Sequence, residues 1–245
     1  MPLPVIEALL FPVNTRSKWF VCLFPGIFLF LIPGPNIIFI GYIATWFHKM
    51  LLEEEYDLPI WNWQNIKSYF IKGMNVTGLF TVFFVSPILI FALLGLPIGI
   101  GFISSSNWEQ MLINVLGGAF FSIFFFSMSI FLFCASWFFF PISLIRFLEG
   151  DGWISAFSFR EAWNDIRNSI ADYIAAHIVV FICFAGILIL IWITSSLILF
   201  LPEGRYLLLF FNIIVFSFGI VYTMFVGGYL FGETYLSFLY ERLEQ

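Results

Sequence analysis

Apolar residues run through this chain in five long stretches that contain no Asp, Glu, Lys or Arg. The stretches are residues 19–48, 73–108, 110–145, 173–202 and 206–232. A helix needs roughly 20 apolar residues to cross the hydrocarbon core of a bilayer, so each stretch is long enough to cross once. The pattern therefore predicts an all-α polytopic membrane helix bundle with four or five spans.

The first stretch is interrupted by Pro33-Gly34-Pro35, within LIPGPNIIFIGY. Proline lacks the N–H that a helix needs and its ring clashes with the preceding turn, so we expect the helix to break here. Either a re-entrant hairpin with this tripeptide at its tip or one sharply kinked span fits the pattern. Non-helical backbone at membrane depth is tolerated only against protein or a wet cavity. We therefore expect other helices to cover the break, with Asn36 as a local hydrogen-bond partner.

Two amphipathic segments lie between the apolar stretches, at 57–73 and 157–174. In the second, apolar residues recur at spacings of three and four, which is typical of one helical face. They are Phe159, Trp163, Ile166, Ile170 and Ile174. The opposite side carries Glu161, Asp165, Asn168 and Asp172. We expect one interfacial helix over 157–174, capped by Ser158, with an acidic outer face that does not attract anionic headgroups and with Arg160 and Arg167 reaching phosphates from its flanks.

These patterns predict one integral membrane domain over residues 1–245. Its parts are a broken or re-entrant helix (19–48), a cytoplasmic amphipathic loop (49–72), two spans (74–103 and 111–145), a cytoplasmic amphipathic helix (146–172), two further spans (173–202 and 206–232) and a tail (233–245). The N-terminus lacks the basic region and small-residue cleavage site of a signal peptide, so we expect no cleaved leader.

The basic residues indicate the orientation, because cytoplasmic loops carry an excess of Lys and Arg. If all five stretches cross, seven of the ten basic residues lie on the cytoplasmic side and the N-terminus lies outside. If the first stretch re-enters, nine lie on the cytoplasmic side and only Arg205 lies outside. Both arrangements place the C-terminus in the cytoplasm.

Composition supports the membrane class. The chain is 62% hydrophobic and 10% charged, with 36 Phe, whereas soluble domains carry about 25% charged residues. The net charge is −5 and no basic patch is present, which argues against a nucleic-acid partner. The lipid bilayer is the expected partner.

Residues that carry chemistry are scarce in the apolar stretches. Ionisable residues inside a membrane usually mark ion coupling or a proton relay, and His177 is the one titratable candidate within a predicted span. We interpret it either as a proton carrier or ligand, or as an interfacial histidine bonded to a neighbouring carbonyl or headgroup. The cysteines and histidines lack metal-site spacing. We therefore expect no catalytic residue, metal or cofactor, and no buried ionised side chain.

Small and polar residues within the stretches indicate helix packing. Gly95 and Gly99, and likewise Gly228 and Gly232, have the four-residue spacing that lets helices approach closely. Ser and Thr in membrane helices mostly bond their own backbone or a neighbouring helix. Such residues cluster at Thr194-Ser195-Ser196 and Asn212.

Several segments resemble a prokaryotic membrane family, domain-of-unknown-function family 4013. The segments are ALLFPVNTRSKWF, IGYIATWFHKML, DLPIWNWQNIKSYFIKG, AFSFREAWNDIRNSIADYIAAHI and GGYLFGETY. The positions that match its pattern are Gly41-Tyr42, Leu58-Pro59, Trp61, Trp63, Gly73, Ala156-Phe157 and Asp172-Tyr173. After Gly-Tyr the family places arginines, whereas this chain has His48, Lys49 and Glu53 to Glu55. The resemblance implies a membrane protein without assigned activity, and it transfers no functional residue.

We therefore predict a non-catalytic multi-pass protein of a prokaryotic cytoplasmic (inner) membrane. It would bind lipids, a membrane protein partner or a second copy of itself, as a scaffold, assembly or envelope-organising component. The alternative is a small-solute transporter or channel lined by the broken first helix. The residues singled out as structural or as a pocket are Pro33, Gly34, Pro35, Asn36 and His177.

Overall fold

The computed structural model describes residues 3–14, 35–53, 59, 61–89, 92, 107–197 and 205–243. These residues are almost entirely helical, and no strand occurs among them. The helices are α1 (Val5–Asn14), α2 (Pro35–Glu53), α3 (Ile66–Phe80), α4 (Trp108–Arg146), α5 (Gly152–Ala156), α6 (Phe159–Asn168), α7 (Ile170–Leu197) and α8 (Arg205–Leu243). A 3-10 turn at Trp63–Asn65 precedes α3, and π-helical turns follow α3 at Thr81–Val85 and α4 at Phe147–Asp151.

Within the described ranges, four helical stretches are long and apolar enough to cross a membrane. They are Trp63–Leu89, Phe126–Gly150, Ile170–Ser196 and Tyr206–Tyr240. No more than 33% of the most apolar window of any of them is buried inside the protein, so most of these side chains are available to lipid. The prediction of an all-α multi-pass membrane protein is confirmed.

The break in the first apolar stretch lies mostly outside the described residues. Pro33 and Gly34 are not among them, whereas Pro35 is the first residue of α2. Proline suits a helix start, because the missing N–H would have no partner within the helix there. Whether the first stretch crosses or re-enters stays a prediction. Helical structure extends to Glu53 and resumes at Trp63, so it enters the predicted loop 49–72 from both ends.

The described chain divides into two compact units, residues 1–76 with 142–245, and residues 77–141. The second unit has a core of phenylalanine rings. The ring of Phe84 lies 4.6 Å from that of Phe80, 5.5 Å from that of Phe133 and 5.4 Å from that of Phe140, measured between centroids. Such ring pairs add to the apolar area that this unit buries.

The first unit has its core where α1, α2 and α8 meet. Trp46 of α2 is fully buried, and its ring centroid lies 5.2 Å from that of Phe11 in α1 and 5.1 Å from that of Phe225 in α8. The hydroxyl of Tyr222 also donates to the carbonyl of Leu9 at 2.8 Å. The hydroxyl of Tyr229 donates to Oε2 of Glu7 at 3.5 Å. An aromatic core and these two hydrogen bonds therefore hold α1 on α8.

Helices α2 and α3 cross with their backbones in contact at two glycines. A Cβ atom added to Gly41 would lie 1.7 Å from the carbonyl oxygen of Tyr69, and one added to Gly73 would lie 1.8 Å from that of Ile37. Real Cβ atoms do not come this close to backbone, so this crossing requires residues without side chains on both helices.

Gly228 and Gly232 make room for α2 against α8. A Cβ added to Gly228 would lie 3.0 Å from the ring of Trp46, and one added to Gly232 would lie 1.8 Å from Cε of Met50. The prediction that this glycine pair permits close packing is confirmed. Gly95 and Gly99 lie outside the described residues.

The prediction of one helix over 157–174 is wrong, because the chain breaks at Ser169 into α6 and α7. The N–H of Ser169 donates to the carbonyl of Ile166 at 3.1 Å, which closes α6, and the carbonyl of Ser169 accepts the N–H of Tyr173 at 2.9 Å, which opens α7. Ser158 does occupy the N-cap position of α6, but its side chain makes no capping hydrogen bond.

Candidate functional site

Charged groups of the first unit meet where α4 ends and α6 lies against it. Arg146, the last residue of α4, donates from Nη1 to Oδ2 of Asp165 at 2.8 Å and from Nη2 to Oε2 of Glu161. The side chains of Arg146 and Asp165 are only 12% and 13% exposed, whereas that of Glu161 is 59% exposed. We call these three residues the arginine clasp. Arg146 and Asp165 are thus largely covered, although the most deeply buried polar residues among those described are Ser143, Asn212, Ser217 and Thr234, none of which is ionisable.

The chain reaches the arginine clasp through a sharp reversal after α4. Gly150 and Gly152 have φ angles of 109° and 73°, a region that glycine adopts readily and other residues rarely adopt. The reversal returns the chain through the short helix α5 to α6. As a result, carboxylates 15 and 19 residues beyond Arg146 come back to it.

A second polar contact joins α8 to the same region. The hydroxyl of Tyr235 in α8 donates to Oε2 of Glu149 in the π-helical turn at 2.8 Å. Beside it lies a cavity of about 10 Å³ whose polar lining includes Asp165, Ser169 and Thr234. That volume holds about one water molecule, so this cavity is too small for an organic substrate.

Helix α6 presents different faces to the protein and to its surroundings. Ala162 and Ile166 are each 1% exposed and pack inward, whereas Phe159 and Trp163 are 51% and 45% exposed. The predicted acidic outer face is wrong in part, because Asp165 turns inward to the arginine clasp although Glu161 stays 59% exposed. The outward surface is instead aromatic, bordered by polar residues.

Two arginines border that aromatic surface. Arg160 and Arg167 are exposed, with the exposed amide of Asn164 between them at helical spacing. Neither guanidinium forms an ion pair within the part of the chain that the structure describes. Trp163 lies one helical turn from each arginine, three residues after Arg160 and four before Arg167. We call Phe159, Arg160, Trp163, Asn164 and Arg167 the outer face of α6.

The predicted site residue His177 lies on α7 and is held by its own helix. Its Nδ1 donates to the carbonyl oxygen of Tyr173 at 2.9 Å, and its ring packs at 4.7 Å against that of Phe231 in α8. No group of three or more His, Cys, Asp or Glu among the described residues has metal-site geometry. The contacts of His177 match the interpretation of an interfacial histidine bonded to a neighbouring carbonyl.

The other predicted site residues are only partly described. Pro35 and Asn36 form the first turn of α2, whereas Pro33 and Gly34 lie outside the described residues. The idea that this break lines a pocket stays a prediction.

The polar cluster within the spans joins two helices. Nδ2 of Asn212 in α8 donates to Oγ of Ser195 in α7 at 2.9 Å, and Oγ1 of Thr194 donates to Oδ1 of Asn212. Ser196 donates to the carbonyl of Trp192 in its own helix at 2.8 Å. The prediction that these side chains bond their own backbone or a neighbouring helix is confirmed.

Sequence reasoning missed the arginine clasp, although it left a signal. Arg146 directly follows an apolar stretch of 36 residues, and Glu161 and Asp165 stand four residues apart on one face of an amphipathic helix. A cation at the end of a span and a carboxylate pair on a nearby interfacial helix are natural partners. The sequence alone does not indicate that Arg146 meets these two carboxylates, because the reversal at Gly150 and Gly152 is what brings them together.

The described structure is thus that of a multi-pass membrane protein with a short amphipathic helix attached to the end of a span. Residues 27–198, well over half of the chain and including all of α2 to α7, match the family described as Protein of unknown function (DUF4013). The chain belongs to this family, which confirms the resemblance drawn from the sequence. No curated protein and no solved structure matches the chain.

Proposed function

We propose that this protein is a non-catalytic membrane scaffold of a prokaryotic cytoplasmic membrane, with its C-terminus in the cytoplasm, and that it binds lipids through the outer face of α6. The observation that carries the proposal is the division of α6 between two environments. The arginine clasp holds its polar side against α4, which leaves Phe159 and Trp163 exposed on the other side.

The position of α6 along the chain supports a place at the bilayer surface. Ser169 alone separates α6 from α7, and α7 is long and apolar enough to span. A helix tied so closely to the end of a span cannot leave the interface. Each half-exposed ring offers roughly 100 Å² of apolar surface, which stabilises a lipid-embedded helix by about 2 kcal/mol.

The charged groups support a scaffold more than an enzyme. Arg146, Glu161 and Asp165 hold α6 in place, and Glu149 accepts a hydrogen bond from Tyr235. Each of these groups therefore has a structural role. Through the same surface the protein would recruit a membrane protein partner or a second copy of itself.

The depth of α6 tests the proposal. In a chain whose three cysteines are replaced by serine, a spin label at position 163 is compared with one at Asn168, which is exposed on the polar side of α6. In nanodiscs of phosphatidylcholine we expect label 163 to collide with oxygen and label 168 with a water-soluble nickel complex. Equal access of the nickel complex to both labels would overturn the proposal.

Solute flux tests the competing function. Proteoliposomes that contain the chain should show no uptake of ions or small polar solutes above that of empty liposomes. Uptake that disappears when Gly34 and Pro35 are both replaced by alanine would favour a transporter lined by the broken first helix.

A further inference from the structure

We infer that the outer face of α6 selects anionic phospholipids, with a headgroup phosphate held by Arg160 and Arg167 on either side of Trp163. The inference rests on the proposed interfacial position of α6, and it adds the class of lipid that α6 binds there.

The charge of α6 changes once its partner on α4 is included. The helix carries Arg160 and Arg167 together with Glu161 and Asp165, so it looks neutral as a sequence. Both carboxylates are taken by Arg146. Arg146 cancels one of the two carboxylate charges, so these five residues together carry a net charge of +1. Both remaining cations lie on the outer face, where they form no ion pair with another described residue, and this surface attracts anions.

The spacing of the two arginines suits a headgroup region. They are seven positions apart, which is about 10 Å along a helix axis, and the amide of Asn164 lies between them as a further donor. A planar guanidinium pairs with phosphate oxygens in a fork that ammonium groups cannot form. Trp163 lies between the arginines, and tryptophan prefers the depth of the lipid headgroups.

The short connection between α6 and α7 favours a lipid over a soluble anion as the source of the phosphate. With one residue between α6 and a spanning helix, the arginines stay at the membrane surface, where lipid phosphate is far more concentrated than any dissolved phosphate. Burial of Phe159 and Trp163 also requires an acyl region next to the phosphate, which a free anion lacks.

Lipid competition tests the selection. The full chain is purified in a mild detergent and incubated with equal amounts of phosphatidylglycerol and phosphatidylcholine, and the bound lipids are counted by native mass spectrometry. We expect on the order of 25-fold more bound phosphatidylglycerol, because two arginines contribute. A basic residue close to an anionic surface contributes roughly a fivefold preference, so R160Q and R167Q should each lower the ratio by about that factor, and the double variant should bring it close to one.

The matched control removes two positive charges from elsewhere in the first unit. K49Q with K67Q causes the same change in net charge, and Lys67 is exposed as the two arginines are. This variant should keep most of the preference for phosphatidylglycerol. A double arginine variant that keeps the wild-type ratio, or a lysine variant that loses as much, would overturn the inference.

Failure of this inference is distinguishable from failure of the proposed function. The spin label at position 163 reports the depth of α6 in phosphatidylcholine alone, where no anionic lipid is present. If the label is embedded while the lipid ratio does not respond to the arginine variants, only the lipid selection is wrong. If the label is in water, the interfacial position is wrong as well.

Discussion

Two helix junctions in the first unit solve the same packing problem in opposite ways. At the crossing of α2 and α3, Gly41 and Gly73 remove side chains so that backbone touches backbone. At the junction of α4 and α6, the arginine clasp joins the helices through long charged side chains. The first suits a place without water, since it leaves no side-chain charge to solvate. The second uses the polar side of α6 and thereby leaves its aromatic side exposed.

The largest loss should follow from breaking the buried half of the arginine clasp. R146M leaves the Asp165 carboxylate, which is only 13% exposed, without its partner. Removing one member of a fully buried pair costs about 3–5 kcal/mol, which is the upper value for this largely covered pair. The free energy of unfolding, measured by titration with sodium dodecyl sulfate in mixed micelles, should fall by that order. K67M, at an exposed lysine of α3, is the control that removes one positive charge elsewhere. An equal loss of stability in both variants would contradict a role for the burial of the clasp.

A methyl group at the glycine crossing should have the next largest effect. G41A or G73A places Cβ within 2 Å of a carbonyl oxygen on the other helix, so α2 and α3 must move apart, at a cost of about 1–3 kcal/mol. The double variant should cost less than the sum, because one methyl already separates the helices.

Gly186 of α7 provides the control for this prediction. Nothing lies within 4 Å of a Cβ added there, so G186A should be neutral or slightly stabilising, as alanine favours helix more than glycine does. If G186A lost as much stability as G41A, the loss in G41A would come from helix propensity or lipid packing and not from the crossing of α2 and α3.

A smaller loss should follow from removing the polar contact between α7 and α8. N212L deletes the bonds to Thr194 and Ser195, and interhelical hydrogen bonds within membranes contribute about 0.6 kcal/mol on average. S217A is the comparison, because the buried Ser217 hydroxyl donates only within its own helix, to the carbonyl of Ile213 at 2.9 Å. N212L should lower the unfolding free energy more than S217A.

The smallest effect should come from the exposed half of the arginine clasp. Glu161 is 59% exposed, so solvent screens its attraction to Arg146 and E161Q should cost less than about 1 kcal/mol. D165N removes the charge from the buried carboxylate of the same pair and should cost more. Unfolding titrations of the two variants check this order. A larger loss in E161Q than in D165N would mean that Glu161 is the main partner of Arg146.

The spanning helices were predictable because each reflects a local property, the absence of charge over a sufficient length. The amphipathic character of α6 was equally local, since the spacing of Phe159, Trp163 and Ile166 reports a face. Its orientation was not predictable, because periodicity does not say which partner the polar side meets. That partner, Arg146, depends on a reversal several residues away.

Two other features depend on contacts distant in the sequence. Gly41 and Gly73 can be read from the sequence, but nothing local in it indicates that these two glycines, 32 positions apart, pack against each other. Helix α1 is ten residues long and contains Pro12, so it gave no spanning or amphipathic signal. Its place is set by partners such as Tyr222 and Tyr229, more than 200 residues later. The outer face of α6 was predictable only in part. Its apolar and basic residues could be identified from their spacing, whereas its net charge depends on the distant partner Arg146.

The reversal after α4 requires backbone φ angles that depend on the handedness of the residue and not on the size of its side chain. Apart from chain neighbours, no atom of the described residues lies within 4 Å of a Cβ added to Gly150 or Gly152, yet both have φ angles that L residues rarely adopt. A D-alanine introduced at position 150 by chemical ligation would therefore fit, whereas L-alanine, though no larger, would cost about 1–2 kcal/mol. The path of the chain from α4 back to α6 is therefore set by the handedness of the backbone at these two residues and not by crowding from the described residues.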